Sequence, residues 1–158
     1  MATVNPIPKN YPRVTPYLSV KGADKAIEFY KKVFGAEERG RMAGPGGAIM
    51  HAEIQIGDSV IMMADEMPQF GNLSPQSLGG SPVSLYIFVK SVDEVFKAAV
   101  AAGAQVLMEV GDQFYGDRTG AIKDPFGHKW NIATRIEDVP PEEMQRRGAE
   151  MIKKMQAK

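Results

Sequence analysis

Cysteine is absent from this chain of 158 residues, which excludes disulfides, thiolate zinc sites and cysteine nucleophiles. That suits a reducing compartment, and a cytoplasmic location is expected. Charge of one sign is lacking as well: nineteen basic and nineteen acidic side chains cancel. No stretch gathers Lys or Arg beside aromatics, so a nucleic-acid partner has no electrostatic support. No run approaches the roughly 20 apolar residues that cross a bilayer, and the N-terminal MATVNPIPKNYP has no apolar signal core, so no membrane partner is expected. The motifs GxSxG, HExxH, GxGxxG and the Walker loop are missing. The glycine-rich GPGG at 44–47 lacks the Lys and Ser of a phosphate loop and reads as a turn. What is there, 44% apolar and 24% charged, is ordinary for one globular domain, expected to span 1–158.

The densest pattern is Phe114 to Ala133, FYGDRTGAIKDPFGHKWNIA. Asp124-Pro125-Phe126-Gly127 reads as a tight turn, because Pro presets φ, Asp bonds its own backbone and Gly accepts positive φ. In the outgoing run Trp130 and Ile132 share one face, while Lys129, Asn131 and Ala133 share the other.

The rest of the chain leads to this hairpin in two similar passes. Residues 1–12 hold three prolines and read as an extended arm. A strand over 14–20 precedes a helix over 23–34 with a stripe of Ala26, Ile27, Tyr30, Val33 and Phe34, stopped by Gly35. Strands follow over 37–42, 48–56 and 59–64, the last two joined by a Gly57-Asp58 hairpin. Residues 67–82 carry three prolines, three glycines and no periodicity, and read as a linker. The order then repeats: a strand over 83–89, a capping box from Ser91 to Glu94, a helix with Val92, Val95, Phe96, Ala99 and Val100 on its stripe, then three more strands. Tyr17, Val20, Lys21 and Asp24 recur as Tyr86, Val89, Lys90 and Asp93, each 69 residues on. These identities and the repeated element order imply duplication. A last helix over 139–157 carries Met144, Gly148, Met151, Ile152 and Met155 on one stripe, expected to dock on its own sheet or on a second subunit.

GADKAIEFYKKVFGA, MHAEIQIGDSVIMMADE, YGDRTGAIKDPFGHKWNIAT and EDVPPEEM resemble the glyoxalase, bleomycin-resistance and extradiol-dioxygenase superfamily, its PhnB-like branch most of all. The resemblance covers roughly 12–146. It implies an α+β fold of two βαβββ modules, over 12–66 and 83–136, and a homodimer. It also locates the metal ligands of metal-dependent members, one on the first and one on the last strand of each module. Here those positions fall at Thr15, Met62, Ser84 and Asn131, none of which is a carboxylate or an imidazole. A divalent oxygen and nitrogen site needs such groups, so no metal and no cofactor are expected.

The candidate ligand-binding residues are His51, Glu53, Met62, Ser84, Tyr86, Phe88, Arg118 and Asn131. His51, Glu53 and Gln55 alternate on one strand face, either lining a cavity as base, acid and amide or forming a wet outer face. Tyr86 and Phe88 share the parity of Ser84 and are the candidates for stacking on a flat ligand. Arg118 offers a planar fork for a carboxylate or phosphate, or else a structural ion pair. His128 either closes its turn or acts at a cavity mouth. Two functional expectations stand together: a metal-free protein sequestering an aromatic or antibiotic-like compound, and a lyase or dioxygenase with a displaced metal site built from His51, Glu53 or His128.

Overall fold

An apolar helix stripe laid on one face of a four-stranded sheet occurs twice in the computed structural model, which describes residues 4–157. The chain divides into two units, the first ending at Ser81 and the second beginning at Pro82. The first unit comprises β1 (Tyr17–Val20), α1 (Ala23–Phe34), β2 (Glu37–Ala43), β3 (Ile49–Ile56) and β4 (Ser59–Asp65), with sheet order β1-β4-β3-β2. Because α1 carries the chain back across the sheet, β1 lies parallel to β4, while the hairpins make the other pairs antiparallel. Ala23, Ala26, Ile27, Phe29, Tyr30 and Val33 of α1 are buried. They meet Leu18, Val20, Ala52, Ile54, Ile61 and Met63, which form the core on that side of the sheet. Each fully buried Ile or Tyr there stabilises the unit by about 2 kcal/mol. Gly35 closes α1 in the left-handed conformation, its N–H bonding Lys31 O at 3.1 Å.

The first strand is shorter than expected, beginning at Tyr17 because three residues before it are the Pro-containing Val14-Thr15-Pro16. The stretch expected as a linker over 67–82 is not without regular structure. It contains a helical turn, α2 (Pro75–Leu78), begun by Ser74, whose Oγ accepts from Ser77 N at 3.3 Å. Glu66 anchors that turn, accepting from Ser74 N at 2.9 Å and from Ser77 Oγ at 3.0 Å.

The second unit repeats the plan with β5 (Ser84–Phe88), α3 (Val92–Ala101), β6 (Gln105–Asp112), β7 (Asp117–Lys123) and β8 (Lys129–Arg135), in the order β5-β8-β7-β6. The Ser91 cap forms, Oγ accepting from Glu94 N at 3.4 Å. Val92, Phe96 and Ala99 are buried, whereas Val100 lies off the stripe and is 39% exposed. Gly120 of β7 makes room for the Phe96 ring, since a Cβ there would stand 2.8 Å from it.

The hairpin between β7 and β8 is organised by Asp124, a buried carboxylate. Its Oδ1 accepts from Phe126 N at 3.0 Å and His128 N at 2.9 Å, and its Oδ2 accepts from Trp130 Nε1 at 2.9 Å. The final helix, α4 (Pro141–Gln156), buries none of its residues. Its first half touches the unit through Gly148 against Phe114 and through Arg147, which pairs with Glu137 at 2.8 Å. Met151, Ile152 and Met155, expected to dock, stay exposed. Among the described residues no helix is long and apolar enough to cross a membrane.

Candidate functional site

Strand register decides which side chains share the face of each sheet turned away from its helix. In the first sheet Tyr17 stands opposite Met62 and Met62 opposite Glu53, so these residues, with His51 two positions along β3, lie on one face. In the second sheet Ser84 stands opposite Lys129, Tyr86 opposite Asn131, Phe88 opposite Ala133, and Ala121 opposite Asn131. The helix-bearing faces are filled by the cores described above, so the candidate chemistry lies on the two open faces.

On the first sheet four side chains form a chain of hydrogen bonds. Tyr17 OH lies 3.2 Å from His51 Nδ1, and His51 Nε2 lies 3.2 Å from Glu53 Oε1. Tyr11 OH donates to both oxygens of Glu53, 2.9 Å from each. The Arg39 guanidinium stands over the Tyr11 ring at 4.7 Å from its centroid, and 3.8 Å from Glu53 Oε2. Desolvation pushes the Glu53 carboxyl up, but hydrogen bonds from His51 and Tyr11 and the Arg39 charge outweigh it, and the net shift is downward. Glu53 is therefore an ionised carboxylate with only 16% of its side chain exposed. Bonding to that carboxylate in turn raises the Tyr11 phenol. The arrangement offers an acceptor, an imidazole and a guanidinium within one patch, able to bind a hydrogen-bond donor or hold a proton.

The second sheet's open face is aromatic instead. Tyr86 and Phe88 stand side by side with ring centroids 5.3 Å apart, exposed by 49% and 59%. Tyr86 OH donates to Asp117 Oδ2 at 3.4 Å, and Asp117 is also paired with Arg135 Nε. Burial, then the neighbouring Tyr115 and Asp117, push the Tyr86 phenol up to about 12. Asn131 Nδ2 donates to Ser84 Oγ at 3.2 Å. Thr119, opposite Ala133 on β7, is buried with no partner for its Oγ1. An open cleft of about 450 Å³ is lined by Phe88, Val89, Lys90, Thr134 and Arg135. It shares Phe88 and Arg135 with the aromatic face but reaches round the end of β5 and β8, away from Ser84 and Asn131.

The structure thus groups His51, Glu53 and Met62 on one sheet and Ser84, Tyr86, Phe88 and Asn131 on the other. Arg118 shares neither face. Its parity on β7 turns it to the α3 side, where it pairs with Asp93 and Asp112, each at 2.8 Å. Asp112 lies 6 residues away in sequence and Asp93 25. His128 closes the Asp124 turn through its main chain, His128 O accepting from Asp124 N at 2.8 Å. Tyr11, Arg39, Asp117 and Arg135 were missed by sequence reasoning. Tyr11 and Glu53 are 42 residues apart, and nothing local marks their meeting.

Thr15, Met62, Ser84 and Asn131 do not fit a divalent metal. They supply two hydroxyls, a thioether and a carboxamide, and the Thr15 hydroxyl already donates to Pro12 O at 3.3 Å. Among the described residues no three His, Asp or Glu side chains gather into a metal-holding group.

The duplicated module with a parallel first and last strand is matched by known proteins. The family model described as the Glyoxalase/Bleomycin resistance protein/Dioxygenase superfamily matches residues 12–132, and the chain belongs to that superfamily. An uncharacterized protein of Mycobacterium bovis is 41% identical over 137 residues, covering 85% of this chain and 90% of its own length. A PhnB protein from Bacillus cereus shares the fold with a TM-score of 0.62 at 21% identity, over 78% of this chain and 99% of that one. The fosfomycin resistance protein FosX from Listeria monocytogenes does so with a TM-score of 0.60 at 17% identity, over 84% of this chain and 97% of its own.

Proposed function

We propose that this protein is a metal-free binder of small molecules, of the glyoxalase and bleomycin-resistance type, that sequesters an aromatic or antibiotic-like compound in the cytoplasm as a homodimer. The observation that carries this reading is the Tyr86–Phe88 pair, two large rings held about half exposed on an open sheet face beside Ser84 and Asn131. Rings of this size are usually covered, and a contiguous apolar surface rimmed by polar groups is the usual make-up of a ligand site. Met62, His51 and Glu53 supply a second, polar surface for the same role. Arg118 contributes to the scaffold through Asp93 and Asp112. The alternative, a metal-dependent lyase or dioxygenase, lacks a donor set of three His, Asp or Glu among the described residues. Pairing is supported by the sheet edges, where β1 and β2 in one unit and β5 and β6 in the other each have one strand neighbour.

The test is a dye and antibiotic binding screen followed by the double variant Tyr86→Ala/Phe88→Ala. A stacked ligand should bind roughly tenfold more weakly to it, at about 1.4 kcal/mol per decade. Melting temperature should change little, because neither ring is core. Unchanged affinity for every hit, or collapse of the fold, would sink the reading. Light scattering should give a mass of about 35 kDa, twice the 17.3 kDa chain.

A further inference from the structure

From residue 4 to residue 14 the N-terminal arm is exposed at every position except Tyr11. That one ring is held from two sides by groups of the first sheet. Both oxygens of Glu53 on β3 accept its hydroxyl at 2.9 Å, and the Arg39 guanidinium on β2 covers its face at 4.7 Å. Arg39 also fixes the chain beside it, Nη1 donating to Asn10 O at 3.3 Å. Behind the carboxylate, His51 and Tyr17 complete the hydrogen-bonded row. Glu53 stands opposite Gly40 in the pairing of β3 with β2, and Arg39 projects from the β2 irregularity between Glu38 and Gly40. The sheet therefore carries a finished receptor for a phenol, and a loosely attached segment puts a phenol into it.

We propose that this patch is a binding site for neutral phenols, with Tyr11 as its resident occupant, and that a free hydroxy-aromatic compound binds there by displacing the arm. The chemistry selects that class. The carboxylate accepts one O–H, and the guanidinium attracts the ring face by a cation–π contact. An aromatic without a hydroxyl leaves Glu53 with His51 as its hydrogen-bond donor but without the phenol, and sites built around a hydroxyl reject such analogues strongly. A phenolate would set like charges together and is disfavoured. Because Tyr11 is tethered, it competes at an effective concentration on the order of millimolar, so the intact chain binds an added phenol weakly. The proposal rests on reading the open face of the first sheet as a ligand surface.

Calorimetric titration of 4-methylphenol into the whole chain, with toluene as the control lacking a hydroxyl, tests it. Tyr11→Ala should bind 4-methylphenol about tenfold or more tightly than the parent chain does. Toluene should show no such gain, and adding Glu53→Ala should abolish it. Equal affinity of parent and variant for 4-methylphenol, or an equal gain for toluene, overturns the proposal. A second measurement needs no substitution. With ring-labelled tyrosine, 4-methylphenol at concentrations well above millimolar should move the Tyr11 resonance towards that of a free side chain, and an unmoved resonance at saturation also overturns it. Binding at Tyr86 and Phe88 is read with a different variant, so failure there leaves this result standing and failure here leaves that one.

Discussion

Tyr17, Met62 and Glu53 stand in one row across the first sheet, and Tyr86, Asn131 and Ala121 stand in the matching row of the second. One step along, Ser19 stands opposite Ala64, with His51 on the same face of β3, while Phe88, Ala133 and Thr119 form the row in the other sheet. In the first unit the charge sits on β3, as Glu53 and His51, facing Tyr17 and Ser19 of β1. In the second the bulk sits on β5, as Tyr86 and Phe88, while β7 offers Ala121 and Thr119. Only the tyrosine and the alanine beside it, Ala64 or Ala133, are common, and in each unit the tyrosine hydroxyl is bonded to a different kind of group, His51 or Asp117. The helix-bearing faces differ far less, because each must fill the same gap under a helix. Duplication has preserved the packing and let the open faces diverge.

The sharpest break between the halves is expected at two glycines 69 residues apart. Gly47 and Gly116 both have positive φ, at 81° and 91°, where a side chain costs about 1–2 kcal/mol. Beyond that they differ. A Cβ at Gly47 meets nothing within 4 Å, but at Gly116 it would lie 2.3 Å from Glu137 O and 2.9 Å from Val139. Gly116→Ala should therefore cost on the order of 4 kcal/mol, adding forced backbone movement to the conformational cost, and Gly47→Ala about 1 kcal/mol. Denaturant unfolding of the two variants measures this, and similar costs would refute the steric account.

A smaller contrast separates the two hairpins. Asp124 accepts three hydrogen bonds within its turn and from Trp130, and it is 3% exposed. Asp124→Ala removes the acceptor of all three bonds and should cost about 3 kcal/mol. Asp58, in the corresponding turn of the first unit, is exposed and bonded to Ser59 Oγ at 3.1 Å. Asp58→Ala should stay within about 0.5 kcal/mol. Thermal melting distinguishes them, and a comparable drop for both would mean the Asp124 network adds nothing.

Smaller again is the contrast at the helix starts, where Asp65 and Thr134, also 69 residues apart, hold the first turns of α1 and α3. Asp65 Oδ1 accepts from Gly22 N at 2.9 Å and Ala23 N at 2.8 Å, and Oδ2 from Ile49 N at 2.8 Å. Thr134 Oγ1 accepts from Val92 N alone at 2.8 Å, with Ser91 sharing the capping. Asp65→Ala should cost about 2 kcal/mol and Thr134→Val about 1 kcal/mol. The reverse order in unfolding experiments would show that Ser91 is the weaker cap.

Elements whose signal is local could be read before the structure. The α1 stripe, the Gly35 stop, the Ser91 cap and the Asp124 turn each depend on residues within a few positions of one another. The duplication showed in identities at one offset, and it reappears as identical strand orders. What could not be read needs contacts across the sheet. Arg118 meets Asp93 at a separation of 25 residues, and Tyr11 meets Glu53 at 42. The turn at 75–78 is too short for periodicity, although Ser74 followed by Pro75 is a start signal that could have revealed it. The stripe on α4 is periodic, but periodicity says only that a face is apolar, and Met151, Ile152 and Met155 leave that face exposed.

The smallest effect compares two carboxylates with the same downward shift and different causes. Bonds from Ser74 and Ser77 bring Glu66 down to about 2, whereas the Arg146 and Arg147 guanidiniums do the same to Glu143. For both, the folded state holds the proton less tightly than the ordinary carboxyl near 4.5. Their stabilisation is therefore complete above that pH and is lost as the pH falls towards about 2. Salt should separate them. Glu143 accepts hydrogen bonds at 2.7 Å from both arginines, and the charge that strengthens them is weakened by 1 M salt, where the Debye length is about 3 Å, while bonds from neutral serine donors depend less on that screening. In melting curves from pH 6 to pH 2, the difference between the parent chain and Glu66→Gln should narrow over that window in low and high salt alike. The difference for Glu143→Gln should narrow in the same window and be clearly smaller at 1 M than in low salt. If salt shrank the Glu66 difference as much, the lone Lys21 at 3.6 Å, rather than the serines of α2, would be what holds that carboxylate ionised.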